Sequence, residues 1–182
     1  MPGVPFIYYG NEIGMRQLGS GWPQVEGAYK PRNGARTPMQ WSADKNLGFS
    51  TAEQEELYIP VDTADDAPTV ASQEKDSLSL LNRTRKLILL RHTEPALKAY
   101  AEFVPLYARD NAYPFVYARA KDKDAVLVFL NPSGAETEAE FAMPAGYSEM
   151  KLLAGKEITI RKEGNNLKIH MSGQTYAIYK VK

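Results

Sequence analysis

Catalysis needs convergent polar groups, and this chain offers few obvious ones. His92 and His170 are its two imidazoles, the groups best suited to proton transfer near neutral pH. His92 falls at the end of a helical pattern and His170 inside a strand-like one near a turn, so both suit capping or surface roles better than catalysis. No Ser-His-Asp order, His-x-x-x-His pair or phosphate-cradling glycine loop occurs. The glycines of "NGAR" and "GSG" neither follow a strand nor open a helix. Cysteine is absent, which removes disulfides, thiol nucleophiles and thiolate metal ligands. Asp62, Asp65 and Asp66 lie in a polar, Pro-flanked stretch and read as a solvated loop. Glu136, Glu138 and Glu140 alternate, as on the water side of a strand. Asn82-Arg83-Thr84 fits a glycosylation sequon but sits in a helical pattern, and it is discounted.

Two stretches remain in which polar groups sit among aromatics. One is Tyr8-Tyr9-Gly10-Asn11-Glu12 and the other is Arg36-Thr37-Pro38-Met39-Gln40-Trp41. Glu12 reads equally as one half of a buried ion pair at a strand end or as a pocket group. Arg36, on its local sequence, reads as a donor that braces its loop, with ligand contact as the alternative.

The elements that must carry these groups fall into three zones. Phe6-Ile7-Tyr8-Tyr9, between Pro5 and Gly10, is a dense apolar run of the kind found in buried parallel strands. The long stretch that follows has little periodicity yet contains Trp22, Tyr29, Met39, Trp41 and Phe49, so an ordered, site-forming loop is expected rather than disorder. "SQEKDSLSLLNRTRKLILLRHTEPAL" predicts one helix: Leu81 and Ile88, and Leu80 and Leu87, are seven apart. Ser72 or Asp76 would cap it, Arg91 and His92 suit its C-terminal end, and Pro95 stops it. Beyond Phe103 come short alternating segments: Phe115–Arg119, Ala125–Leu130, Glu149–Leu153, Ile158–Arg161, Leu167–Met171 and Tyr176–Val181. Turn residues such as "KDKD", "NPSG" and "EGNN" separate them. That punctuation predicts an antiparallel β-sandwich.

The chain has 182 residues with 43% hydrophobic content and a formal net charge of zero. This supports a real core and gives no electrostatic footprint for nucleic acid or an anionic membrane. No basic segment followed by an apolar stretch opens it, and no run approaches membrane-span length. A cytoplasmic location is expected ahead of export.

At the two polar-aromatic stretches the sequence resembles the α-amylase superfamily, the family 13 glycoside hydrolases. "PGVPFIYYGNEIGM" is similar to the eighth barrel strand and following loop. "ARTPMQWS" with "NLGFS" resembles the loop-eight signature of the α-glucosidase, oligo-1,6-glucosidase and trehalose-synthase branch. "SLLNRTRKLILLRHTEPAL" is similar to the last barrel helix, and the tail with "AVLVFLNPS" to the C-terminal β-domain. The resemblance implies a mainly β chain, in which an antiparallel β-sandwich domain follows the last βα unit and long loop of a truncated (β/α)8 barrel. The barrel remnant would span 1–98 and the β-domain 99–182. It further implies a retaining mechanism with an Asp nucleophile and a Glu acid/base about 5 Å apart. With a third Asp, these follow earlier barrel strands, so no catalytic residue is expected here. Met1 itself is expected to be an internal residue of a longer parent. Arg36 is the implied contact to a non-reducing-end glucose, and Tyr9 and Glu12 are implied to line or brace the pocket floor. Gln40 and Trp41 would position the loop.

The expected partner is an α-glucan or α-glucoside bound by the intact parent. No cofactor, metal, nucleic acid or membrane is expected, and the exposed barrel remnant offers a route to self-association. A non-catalytic carbohydrate-binding or interaction β-module is the competing reading. It would use tail tyrosines, among them Tyr100, Tyr107, Tyr113, Tyr117, Tyr147, Tyr176 and Tyr179; packing is the better account of these.

Overall fold

The turn-punctuated tail folds as the alternation requires. A computed structural model describes residues 2–18, 30–143, 146 and 149–182; Trp22, Tyr29 and Tyr147 lie outside the described residues, as does Met1. Two compact units are distinguished: Pro5–Arg85, and Lys86–Lys182 with the first few residues.

Among the described residues of the second unit, eight strands form two antiparallel sheets. They are β1 (Glu102–Tyr107), β2 (Phe115–Lys121), β3 (Asp124–Asn131), β4 (Thr137–Ala142), β5 (Met150–Gly155), β6 (Thr159–Glu163), β7 (Asn166–Met171) and β8 (Thr175–Val181). One sheet has the order β1-β2-β3-β8-β5 and the other β4-β7-β6. Phe129, Leu127, Val116, Phe141, Leu167, Ile169 and Met171 interleave between them as the main core. Phe129 meets Phe141 at 6.4 Å and the edge of Tyr179 at 5.7 Å. The outer face of the larger sheet is covered too. Tyr117, Val126, Val128 and Ile178 pack there with Ala96 and Leu97 of a 3₁₀ turn and with Leu87 and Leu90. Coverage on both faces explains why β2 and β3 read as almost unbroken apolar runs. On β4, by contrast, Glu138 and Glu140 face water while Ala139 and Phe141 are buried. His170 lies 3.3 Å from Glu136.

Arg119 is fully buried, which its strand pattern did not announce. Its guanidinium donates to the carbonyls of Glu102, Lys98 and Ala101 at 2.7–3.0 Å. Burial lowers its pKa, and the nearby Arg91 charge adds to that effect.

The first unit is helical and turn-rich, and here one expectation, the single helix, changes. Pro5–Tyr8 takes no strand partner among the described residues, and Phe6 is 94% exposed. An apolar run becomes a buried strand only when neighbouring strands accept its backbone bonds. The predicted single helix is two: α2 (Val70–Glu74) and α3 (Leu80–Thr93), after the short α1 (Lys30–Asn33). Neither Ser72 nor Asp76 caps α3. Ser72 answers the cap of α2, Thr69, in a reciprocal box, and Ser79 Oγ accepts the Asn82 N–H at 3.2 Å to start α3. The Asn82 amide is spent on the carbonyls of Gln73, Glu74 and Asp76 at 2.8–3.1 Å. The sequon is thus occupied by a structural role.

Candidate functional site

Tyr9 ends the apolar run because Gly10 and Gly14 both take left-handed backbone angles around a 3₁₀ turn, Asn11–Ile13. The Met15 N–H closes this turn on the Gly10 carbonyl at 2.9 Å. Gln73 then ties the turn to the helices. Its Nε2 donates to the Ile13 carbonyl at 2.7 Å and its Oε1 accepts the Leu81 N–H at 3.0 Å.

The second polar-aromatic stretch is placed from below. Leu18 N–H donates to the Gly34 carbonyl at 3.0 Å, and a Cβ on Gly34 would stand 2.1 Å from the Leu18 oxygen, so only glycine allows this approach. Two residues later Arg36 emerges exposed, while Thr37 and Gln40 turn inward at 3% and 1% exposure. Gln40 Nε2 donates to the Pro68 carbonyl at 2.5 Å. The carbonyls of Gln40 and Trp41 accept the first free amides of α2, from Val70 and Ala71, at 3.0 and 2.9 Å. "NLG" forms a left-handed turn: Asn46, Leu47 and Gly48 have φ of 53°, 57° and 73°. Asn46 pays for it by donating to the carbonyls of Ser50 and Ala52 at 3.0 and 2.8 Å.

These supports bring Tyr9 and Arg36 together. Both line a depression of about 290 Å³ with Thr37, Pro38, Met39, Phe49 and Tyr58. Tyr9 Oη donates to the Thr37 carbonyl at 3.0 Å. Burial raises the pKa of this phenol, the Tyr8 hydroxyl adds to the shift, and the Arg36 charge opposes it. The Arg36 guanidinium makes no hydrogen bond or ion pair among the described residues. A loop-bracing role for that side chain is therefore unsupported.

Glu12 is not brought into this group. It is half-buried, and its Oε2 is shielded from solvent without a hydrogen-bond partner among the described residues. The ion pair admitted for Glu12 does not form there. Among the described residues an ion pair on a buried carboxylate forms elsewhere in this unit, at a residue read as solvated. Asp62 is 5% exposed and takes Arg16 Nε and Nη2 at 3.1 and 2.9 Å, while Arg16 Nη1 reaches Asp66 at 2.8 Å. Arg16 in turn holds Asp66 below its ordinary pKa. The positioning residues Gln73, Thr69 and Asn46 were also missed. Only Asn46, two residues before Gly48 at the end of a polar run, carried a turn signal.

A sequence model of the α-amylase catalytic domain matches residues 1–100. The chain belongs to the α-amylase family. It is 38% identical over 143 residues to the trehalose synthase/amylase TreS of Mycobacterium tuberculosis, covering 73% of this chain and 22% of that protein. It is 30% identical over 183 residues to a probable oligo-1,6-glucosidase 2 of Bacillus subtilis, covering 84% and 31% respectively. Among solved structures, the α-amylase of H. orenii superposes over 100% of this chain and 33% of its own, with TM-score 0.70 at 27% identity. A glucose-bound isomaltulose synthase from Erwinia rhapontici NX5 superposes with TM-score 0.77 at 22% identity, over 100% of this chain and 36% of its own. The chain thus spans roughly a fifth to a third of the length of these curated relatives.

Proposed function

We propose that this chain supplies one wall of the sugar site of a retaining α-glucoside hydrolase or transglucosidase, with Arg36 gripping the terminal glucosyl unit. The observation that carries this is the Arg36 guanidinium, unspent among the described residues, at an otherwise mainly apolar depression, on a loop pinned by Thr37 and Gln40. A planar fork of donors suits adjacent sugar hydroxyls. Tyr9 acts one step behind it by fixing the Thr37 carbonyl, and the shielded, unmatched oxygen of Glu12 is a bracing acceptor for a donor from further catalytic-domain residues.

In this reading the 182-residue chain is inert alone. Retaining hydrolysis needs a nucleophilic carboxylate and an acid/base about 5 Å apart, and among the described residues no carboxylate lines the depression. The relatives' greater length leaves room for those groups. Residues 1–98 belong to the catalytic domain and 99–182 to an appended β-domain, a division supported by the family match to residues 1–100. The exposed Phe6 and Ile7 would face further barrel strands, with a second copy of the chain as the alternative cover.

The binding-module reading draws less support. Tyr117 and Tyr179 are core residues at 5% and 6% exposure, whereas Tyr100 and Tyr113 are exposed, against the packing expected for them. Assaying p-nitrophenyl α-glucoside tests the proposal. The purified chain is expected to be silent, and a form extended N-terminally in its own reading frame is expected to turn over. Turnover by the chain itself would overturn inertness. An extended form without turnover would overturn the α-glucoside assignment.

A further inference from the structure

The depression around Arg36 displays more aromatic surface than a lone guanidinium needs. Tyr58 is 64% exposed and Phe49 51% exposed, and both line it. Both belong to residue types that folding ordinarily covers to a large degree. Neither is loosely held. Phe49 leaves the left-handed "NLG" turn with its N–H on the Asn46 carbonyl at 3.1 Å. Tyr58 follows a 3₁₀ turn, Gln54–Glu56, closed by a reciprocal box between Glu53 and Glu56 and by the Leu57 N–H on the Gln54 carbonyl at 3.2 Å.

The chemistry of this lining selects among occupants. A carboxylate or phosphate would satisfy Arg36 but gain little from two neighbouring aromatic side chains. A pyranose has C–H groups on its faces and hydroxyls at its rim, so aromatic surface and a donor fork match it together. A volume of about 290 Å³ lies at the small end of ligand pockets, on the scale of one to two sugar rings rather than a long glucan.

We infer that Phe49 and Tyr58 are specificity residues that pack on the second ring of an α-linked disaccharide whose first ring is held by Arg36. This rests on the α-glucoside reading above. It assigns recognition of the ring beyond the scissile bond to side chains that make no contact with the reacting atoms.

Saturation-transfer NMR titrations of the full 182-residue chain test it, with isomaltose, maltose and methyl α-glucoside as ligands. A disaccharide is expected to bind about fivefold tighter than the one-ring glucoside. Phe49→Ala and Tyr58→Ala should erase that advantage and leave methyl α-glucoside within about twofold of its original affinity, whereas Arg36→Ala should weaken both ligands. The exposure of both aromatics makes their removal compatible with folding, which circular dichroism of each variant checks. If the advantage survives both aromatic substitutions, or never exists while Arg36→Ala still weakens binding, the inference fails and the α-glucoside reading stands. If Arg36→Ala changes nothing while the aromatic variants erase the advantage, the role given to Arg36 fails and the inference stands. Absence of saturable binding of all three sugars overturns both.

Discussion

Replacing Gln73 by alanine should open the turn that carries Tyr9. The side chain serves two backbone groups sixty and eight residues away, the Ile13 carbonyl at 2.7 Å and the Leu81 N–H at 3.0 Å. Ile13 and Leu81 are 2% and 6% exposed, so each orphaned group loses its partner in a largely dry setting. A buried polar group left unmatched costs about 1–3 kcal/mol. Gln73 is itself only half-buried, and water entering the gap recovers part of this, so about 2–4 kcal/mol is expected for the pair. That raises the opening equilibrium of the turn about 30- to 900-fold. Native-state hydrogen exchange reads it at Met15 N–H, bonded to the Gly10 carbonyl, and at Arg83 N–H, bonded to the Ser79 carbonyl.

Gln73→Glu separates this account from a mere loss of packing. The carboxylate still accepts from Leu81 but cannot donate to Ile13, whereas the protonated acid can do both. Its folded pKa is therefore raised above the unfolded value. The added stability is fully present below the unfolded pKa and is lost as pH rises through the folded one. Protection in Gln73→Glu should accordingly recover on acidification, while Gln73→Ala should not. Exchange in Gln73→Ala within about threefold of the parent at both amides would refute the reasoning.

Three further outcomes are expected. Asn82→Asp should destabilise the α2–α3 junction more than Asn82→Ala, because it turns an anion toward the carbonyls of Gln73, Glu74 and Asp76; urea titration followed by Trp41 fluorescence orders the two. Lys180 is raised in pKa by hydrogen bonds from its ammonium first to Asp124 and then to Glu94. Its contribution is present below the ordinary lysine pKa and is lost as pH rises through the raised folded value, so Lys180→Met should flatten the alkaline limb of a stability–pH profile. Phe129→Ala, at a fully buried ring between the two sheets, should cost about 3–5 kcal/mol in urea unfolding followed by near-UV circular dichroism.

Much of the second unit was legible residue by residue. Glu138 and Glu140 announced the water face of β4, and "KDKD" and "EGNN" announced the turns before β3 and β7. Alternation and turn chemistry act over a few neighbours, so a linear reading recovers them. In the first unit the same reading placed Tyr9 and Arg36 on separate stretches and had no means of measuring the distance between them. It also took α2 and α3 as one helix, since the capping pair Thr69 and Ser72 competes with a longer apolar period that looks continuous.

By itself the sequence determined the antiparallel β-domain, most of its strands and the family, because periodicity, turn residues and motifs are properties of short segments. Tertiary structure alone decided that Arg119 is buried on carbonyls, that Asp62 pairs with Arg16, and that Gln73 couples the Tyr9 turn to α3. These contacts join residues eight to sixty positions apart, and the energy of a buried polar group depends on partners that only chain closure supplies.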